Sequence, residues 1–279
     1  MKLGDLLAGS GLDFEAVAGD RFALPIRGGQ RKSTVVEVAP LPRDVVRVVA
    51  PLAELPRRWG KPRERAFILE RLLTLTRRAS YAKAIALGPG SFALAADLPV
   101  RALTPRQMRG LILALASLAD MKSGQLLDAR WWEESRVKAL QALDDHIRLD
   151  EDAARRTTIA LLRAEGLEVE ERDEHVMVSV DHDEAFLTVF VEPTMSDVSL
   201  LVYPSWQIRA PVRGEAFMAR LLELNRDASV AKAGIDAQGD VVLFYGLPEV
   251  RPDLLDHAWD ELARLVRAVE DLDQSRSWR

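Results

Sequence analysis

Four histidines and a short acidic run are the residues whose types best suit metal binding or acid–base chemistry. The histidines are His146, His175, His182 and His257, and the run is Asp181-His182-Asp183-Glu184. Imidazole and carboxylate groups are common metal ligands. The run falls where a hairpin turn is predicted, however, and turns are commonly polar for conformational reasons. We therefore predict a solvated turn and no metal site.

Motifs for nucleotide binding and nucleophilic catalysis are absent from the sequence. Gly28-Gly29 and the Gly-Pro-Gly at 88–90 lack the spacing of a phosphate-binding loop or a dinucleotide fingerprint. No Gly-x-Ser-x-Gly elbow occurs, and the chain has no cysteine. The many carboxylates lie on faces predicted to be solvated, where nothing apolar would raise a pKa. We expect a protein that is not an enzyme and has no cofactor.

One basic segment has the composition of a nucleic-acid contact. Residues 57–65 read RRWGKPRER. Its cations are Arg57, Arg58, Lys61, Arg63 and Arg65. Cations around an aromatic residue suit phosphates and a stacked base. Gly60 and Pro62 mark a loop, however, and no RNA- or DNA-binding motif accompanies the patch. A solvated insertion loop is favoured, and direct nucleic-acid binding is not expected.

Two aromatic pairs are candidates for partner binding. Trp131 and Trp132 lie in a predicted helix, where neighbours differ by about 100°. One of them should therefore contact a second surface: the rest of the chain, a second chain or a client. Tyr203 and Trp206 flank a proline in a predicted loop and could form a recognition edge, because aromatic residues are frequent at binding hot spots. Burial in the core is the alternative for each pair.

The elements that would position these residues occur twice. Residues 71–84, RLLTLTRRASYAKA, match residues 220–233, RLLELNRDASVAKA, at ten of fourteen positions. The offset of 149 continues downstream, where Thr104 and Asp253 are both expected to be helix N-caps. A second match, from Leu6 and from Leu161, has an offset of 155. The first copy therefore carries six extra residues, which we assign to the basic segment.

Hydrophobic periodicity predicts the fold of the repeated unit. In the second copy, helical patterns at 151–166, 214–227 and 253–272 enclose alternating segments typical of strands. The order is α-β-β-β-β-α-β-β-α, which indicates an α+β domain with a helix-flanked antiparallel sheet. We predict two tandem copies, at residues 1–121 (repeat 1) and 150–279 (repeat 2). A linker helix is expected in residues 122–149.

Charge and hydropathy bound the setting in which the chain works. Residues 1–149 hold 24 Lys and Arg against 16 Asp and Glu, a net charge of +8, whereas residues 150–279 hold 14 against 27, a net charge of −13. The halves could attract each other or present different faces to partners, or simply have drifted apart in surface charge. Neither a signal peptide nor an apolar stretch of membrane-spanning length is recognised. We expect a cytoplasmic protein that does not contact a membrane.

The second copy also resembles a known family. Residues 221–250, LLELNRDASVAKAGIDAQGDVVLFYGLPEV, followed by an amphipathic helix, resemble YbjN-like proteins, which are similar in fold to the chaperones of type III secretion systems. The resemblance covers 150–272 most plainly and 1–121 more loosely. It implies a protein-binding sheet without catalytic residues. Secretion chaperones of this shape pair as dimers and hold an extended client, so a fused tandem would be a covalent version of such a dimer.

These observations favour a non-enzymatic, chaperone- or adaptor-like protein that holds a client polypeptide on sheet and helix surfaces without nucleotide. An exposed sheet edge can accept a client strand, and two linked sites gain avidity. The client is not identified by the sequence, and a homodimer is left open. The alternative is a regulatory module that binds nucleic acid or a small ligand between the oppositely charged repeats.

Overall fold

The structure, a computed structural model, describes residues 2–27, 33–55, 60–79, 81–123, 151–172, 175–182, 185–193, 198–204, 208–247 and 251–275. Within these ranges the chain forms two six-stranded antiparallel sheets and seven α-helices. The predicted α+β class is confirmed.

Repeat 1 contains three helices and the six strands of the first sheet, here called sheet A. The elements are α1 (Leu3–Ser10), β1 (Glu15–Val17), β2 (Arg21–Ile26), β3 (Thr34–Leu41), β4 (Val45–Glu54), α2 (Pro62–Arg78), β5 (Ala82–Gly88), β6 (Ser91–Pro99) and α3 (Pro105–Ser123), with a 3₁₀ turn at Val100–Ala102.

Repeat 2 follows the same plan and forms sheet B. The elements are α4 (Glu151–Ala164), β7 (Val169–Glu171), β8 (Val176–His182), β9 (Ala185–Pro193), β10 (Val198–Val202), α5 (Ala210–Arg213), α6 (Glu215–Asp227), β11 (Lys232–Ile235), β12 (Val241–Leu247) and α7 (Pro252–Ser275). The short helix α5 has no counterpart among the described elements of repeat 1.

The two sheets have the same strand order. Sheet A runs β1-β2-β3-β4-β6-β5, and sheet B runs β7-β8-β9-β10-β12-β11. In both, the two strands after the central helix form a hairpin whose second strand pairs with the fourth strand. A shared topology in the two halves is what duplication of one unit requires.

One face of each sheet carries the hydrophobic core. On β8, Val176, Val178 and Val180 are buried at alternate positions, as the period-two pattern requires. Helices α1 and α3 pack against sheet A, and α4 and α7 pack against sheet B, on this inner face. Buried apolar residues of both repeats belong to one continuous cluster. The opposite, outer face of each sheet holds only a small separate cluster among the described residues.

Helix starts follow local sequence, with one departure from expectation. Thr104 caps α3 as predicted: its backbone N–H donates to Gln107 Oε1 at 2.8 Å, and the N–H of Gln107 donates to Thr104 Oγ1 at 3.3 Å. Asp253 is not an N-cap, because α7 begins one residue earlier at Pro252. Proline suits the first helical position, where its missing N–H costs nothing.

Several residues singled out from the sequence lie outside the described ranges. They are Arg57, Arg58, Trp131, Trp132 and Trp206. The predicted linker helix at 122–149 lies outside them too, apart from the last turn of α3. Among the described residues, no helix combines the length and the hydropathy that a membrane span needs.

Candidate functional site

A lysine from repeat 1 reaches into repeat 2. Lys83, on β5, is buried, and its Nζ donates to the carbonyl oxygens of Ala228 at 2.9 Å and Ala231 at 3.2 Å. The carbonyl oxygen of Ser229 accepts from the same ammonium group. These carbonyls follow the C-terminal end of α6. Backbone acceptors there lack helical partners and favour a cation.

The corresponding lysine of repeat 2 makes the reciprocal contact. Lys232 is buried on β11, 149 residues after Lys83, and its Nζ donates to Ala82 O at 3.2 Å and also to Ala79 O. These acceptors correspond in the repeat to those of Lys83. Reciprocal contacts between equivalent residues define an isologous interface, as in a two-fold dimer. The two repeats are therefore paired within the chain as a pseudo-dimer.

The charge at the centre of this interface is not symmetric. Asp97 is buried, and its Oδ2 lies 2.7 Å from both Lys83 Nζ and Arg47 Nη2. Burial lowers the pKa of Lys83, and the carboxylate of Asp97 partly opposes that shift. In sheet B, Gly246 stands at the position equivalent to Asp97, 149 residues on. One lysine of the pair therefore has this carboxylate and the other does not.

Polar side chains at the ends of α2 and α6 satisfy the strands that follow. Thr76 Oγ1 accepts from the backbone N–H of Ala84 at 2.9 Å, and the equivalent Asn225 Oδ1 accepts from Ala233 at 2.6 Å. Asn225 is longer than threonine, and its Nδ2 also donates across the interface to Ala84 O at 3.2 Å. The asparagine thus links a local cap to the contact between repeats.

The backbone of β11 approaches α2 closely. A Cβ atom added at Gly234 would lie 2.9 Å from Leu73 O and 3.0 Å from Arg77 N, both backbone atoms. Only glycine permits that approach without displacement. In sheet A the equivalent strand, β5, packs against α6. Each of these sheet-edge strands thus packs against a helix of the other repeat, and the opposite edges, β1 and β7, have only three residues each. The structure therefore offers little open edge for a client strand.

Ion pairs at the periphery of the interface have one polarity. Four join a cation of repeat 1 to a carboxylate of repeat 2: Arg43–Asp260 at 2.7 Å, Arg65–Glu215 at 2.7 Å, Arg101–Asp253 at 3.0 Å and Arg77–Glu192 at 3.8 Å. Exposed pairs contribute little each, about 0–1 kcal/mol. Their common direction shows that the basic and acidic halves attract each other where they meet.

The basic segment proves to be partly helical. Gly60 has φ +62°, Pro62 opens α2, and Arg63 and Arg65 therefore lie in its first turns. The prediction of a solvated loop is wrong for these residues, because proline favours a helix start. Lys61 stands at the N-cap, and its backbone N–H donates to Glu64 Oε2 at 2.7 Å. Arg65 belongs to the interface through Glu215, so the described part of the segment does not form a continuous basic patch.

The outer face of sheet B presents aromatic side chains. Phe190 forms edge contacts with Tyr203, at 6.1 Å between ring centroids, and with His175, at 5.5 Å. Phe186 is 71% exposed. It lies on β9 four residues before Phe190, so both side chains are on the same face of the strand. We call Phe186, Phe190 and Tyr203 the aromatic patch. Tyr203 was predicted as a contact residue; the two phenylalanines were not, although alternation along β9 places both on one face.

A cleft of about 320 Å³ adjoins the aromatic patch. Phe186, Phe190 and Tyr203 line it from the sheet, and Val266 and Glu270 line it from α7. Burial and the nearby charge of Asp271 raise the pKa of Glu270. The cleft thus combines apolar walls with one carboxylate, Glu270, and one guanidinium group, Arg267. It can take an apolar side chain, and a cation beside that side chain would meet Glu270.

Two of the described histidines are tied to structural partners, and His146 lies outside the described residues. His182 Nε2 lies 2.8 Å from Asp260 Oδ1, and the hydroxyl of Tyr245 lies 2.6 Å from His257 Nδ1. Asp183 and Glu184 of the acidic run lie outside the described residues. Within the described part of the chain, no three His, Asp or Glu side chains are grouped as metal ligands would be. His182 joins the end of β8 to α7.

Comparison with known proteins adds no family assignment. No protein-family model matches the chain, and no curated protein matches it. The functional interpretation therefore depends on the paired repeats, the aromatic patch and the charged surfaces beside them.

Proposed function

We propose that this protein holds extended polypeptide segments on the outer face of sheet B, as a chaperone or adaptor that needs no nucleotide. The aromatic patch carries the proposal. Phe186 is a large apolar side chain left mostly in water beside a cleft, and such sites are where binding partners gain most of their free energy. Because the longer edge strands are engaged between the repeats, the face is a better candidate than an edge.

The surroundings of the patch favour a partner of particular chemistry. Repeat 2 has a net charge of −13, and around the patch or its cleft three carboxylates, Glu192, Glu270 and Asp236, outnumber two arginines, Arg77 and Arg267. Opposite charge steers association and disfavours wrong partners. The proposed client is therefore an extended segment with an aromatic or aliphatic residue flanked by Lys or Arg.

The paired repeats support a relation to chaperone dimers. The isologous contacts of Lys83 and Lys232 resemble those expected between two subunits, here supplied by one chain. On this basis we propose that the chain is a fused pair of YbjN-like units with the fold of type III secretion chaperones, that it acts in the cytoplasm, and that the internal pairing takes the place of a homodimer.

Peptide binding tests the proposal directly. Fluorescence anisotropy would follow the full chain with extended peptides that carry one aromatic residue between lysines, and with matched peptides that carry glutamates instead. We expect only the basic series to bind. Phe186→Ser should weaken binding about tenfold or more, because a large apolar contact is lost.

A matched variant separates this effect from general loss of hydrophobic surface. Val212 is 75% exposed but lies on α5 and does not line the cleft, so Val212→Ser should bind as wild type does. A lysate pull-down with the three proteins extends the test to natural clients, which Phe186→Ser should fail to retain. Equal binding by Phe186→Ser and wild type would refute the proposal, as would failure of the basic peptides to bind.

A further inference from the structure

A second cleft lies between the repeats, and Arg267 of α7 lines both this cleft and the one beside the aromatic patch. Its volume is about 430 Å³. Repeat 1 contributes the turn between β3 and β4, and repeat 2 contributes the end of α6 and one side of α7. Clefts of this volume accommodate small-molecule ligands.

Arginines dominate the charged lining of this cleft. The five are Arg43, Arg47, Arg226, Arg264 and Arg267, and the three carboxylates are Asp227, Asp260 and Glu261. The lining therefore has a net charge of +2. Behind it, Lys83 and Asp97 add one charge of each sign. The lining of the cleft is therefore positively charged, although the chain as a whole has a net charge of −5.

Two of the arginines can reach a ligand from opposite repeats. Arg43 and Arg264 have side chains that are each 59% exposed, paired with Asp260 at 2.7 Å and Glu261 at 3.2 Å. Arg43 holds a left-handed backbone, φ 61°, in the turn that carries it to the cleft. By contrast, Arg47 is bound on both sides, to Asp97 and to the carbonyl of Arg226 at 2.6 Å. Arg47 therefore shapes the site, and the exposed pair can exchange partners.

Two further features suit a ligand that has both oxygen atoms and an apolar part. Ser229 lines the cleft, and its Oγ is buried without a hydrogen-bond partner among the described residues. After a rotation about χ1 that turns the hydroxyl toward the cleft, an oxygen of a ligand would satisfy it. Leu41, Pro42 and Ala228 provide apolar wall beside the arginines.

We propose that this cleft binds a small phosphorylated molecule of about mononucleotide size. Guanidinium groups bind phosphate oxygens in pairs, and arginine keeps its charge at every physiological pH. The carboxylates of Asp227 and Asp260 stand among the arginines and would repel a long polyanion, which favours a small ligand over a nucleic-acid strand. Because its arginines come from both repeats, the site is complete only when they are paired.

Calorimetric titration of the full chain with inorganic pyrophosphate and with ATP, at low salt and without divalent cations, tests the site. We expect saturable binding of one ligand per chain. Arg43→Gln and Arg264→Gln should each weaken it about tenfold or more, because each removes a positive charge and a charge-assisted contact from the cleft.

A charge of the opposite sign provides the converse test. Asp227→Asn removes a negative charge from the lining and should tighten binding several-fold. Arg220→Gln and Arg21→Gln serve as controls, since both arginines form exposed ion pairs away from the cleft. Their affinities should match the wild type.

The result separates cleanly from the client proposal, because Phe186→Ser leaves the cleft untouched. Circular dichroism would establish that each variant is folded. If an arginine variant does not fold, Asp227→Asn still shows whether removing a negative charge from the cleft strengthens ligand binding. Absence of saturable binding by both ligands at millimolar concentration would overturn the proposal. So would binding that all three cleft variants leave unchanged, or single-stranded DNA binding that outcompetes ATP at the same residues.

Discussion

Lys83 and Asp97 form a buried ion pair, with 2.7 Å between Nζ and Oδ2, at the centre of the contact between the repeats. The pair holds one ammonium group between a carboxylate and the backbone of the other repeat. Its charges are shared with Arg47, which binds the same carboxylate. Folding and pairing of the repeats are therefore linked through a single buried acid.

Replacing that acid should be costly. Asp97→Asn leaves Lys83 and Arg47 without their buried counter-charge, and breaking such a pair costs about 3–5 kcal/mol of unfolding free energy. Urea denaturation followed by circular dichroism would measure the loss. Glu37→Gln, which breaks the exposed pair with Arg21, should cost less than about 1 kcal/mol. Similar losses of unfolding free energy in both variants would show that the buried ion pair of Asp97 contributes no more to stability than an exposed one.

Gly234 offers a steric test of the contact between β11 and α2. Gly234→Ala places a methyl group against the backbone of α2 and should destabilise the fold by about 1–3 kcal/mol. Gly88→Ala is the matched control, because nothing lies within 4 Å of the place its methyl group would take and its backbone does not need glycine. Thermal unfolding of both variants checks this expectation. A neutral Gly234→Ala would mean that the repeats separate readily at this point.

Asn225 can be exchanged for the residue that repeat 1 uses. Asn225→Ala removes bonds to Ala233 and Ala84 from a buried site and should cost about 2–3 kcal/mol. Asn225→Thr, which copies Thr76, should keep the bond to the backbone N–H of Ala233 and lose only about half as much. Denaturant midpoints would rank the variants. Equal losses would indicate that threonine cannot act as the cap in repeat 2.

The pH dependence of stability should contain a contribution from His257. Burial lowers the pKa of its imidazole below the ordinary value, and burial also raises the pKa of Tyr245, whose hydroxyl lies 2.6 Å from Nδ1. The charged groups that act on the ring are Glu261 and Asp260, which favour protonation, and Arg43 and Arg264, which oppose it. Burial is the largest of these effects.

The sign follows from which state binds the proton first. As pH falls from 7, an unfolded histidine is protonated near its ordinary pKa of about 6.5, before the folded one, so stability is lost with falling pH until the lowered folded pKa is passed. His257→Gln should flatten the urea midpoint between pH 7 and pH 5. An unchanged slope in His257→Gln would assign the pH dependence to other groups.

Much of the fold was predictable because duplication shows the pattern twice. Alternation in β8 and β9 and the helical period of α7 are properties of local sequence, and the structure has these elements within a few residues of the expected bounds. The start of α2 departs from the prediction, because Gly60 and Pro62 are loop signals in the sequence whereas proline also opens helices.

The contact between the repeats was less predictable, because it depends on distance in space. A lysine in the apolar runs around residues 83 and 232 was visible in the sequence, but its acceptors are backbone carbonyls that any residue type could supply. The close approach at Gly234 likewise depends on how α2 lies over β11. In the same way, the sequence predicts that Phe186 and Phe190 share one face of a strand. It does not predict that this face is left uncovered by other elements.

The place of Gly246 opposite Asp97 has an evolutionary consequence. In an assembly of identical subunits, every mutation appears on both sides of the symmetry axis at once. Here the two sides have separate codons, so an acid could be gained, or a side chain removed, on one side alone. Fusion thereby frees each half to specialise, and a molecule built from two like parts can carry an acid such as Asp97 on one side alone, where a symmetric ancestor would have had to carry two.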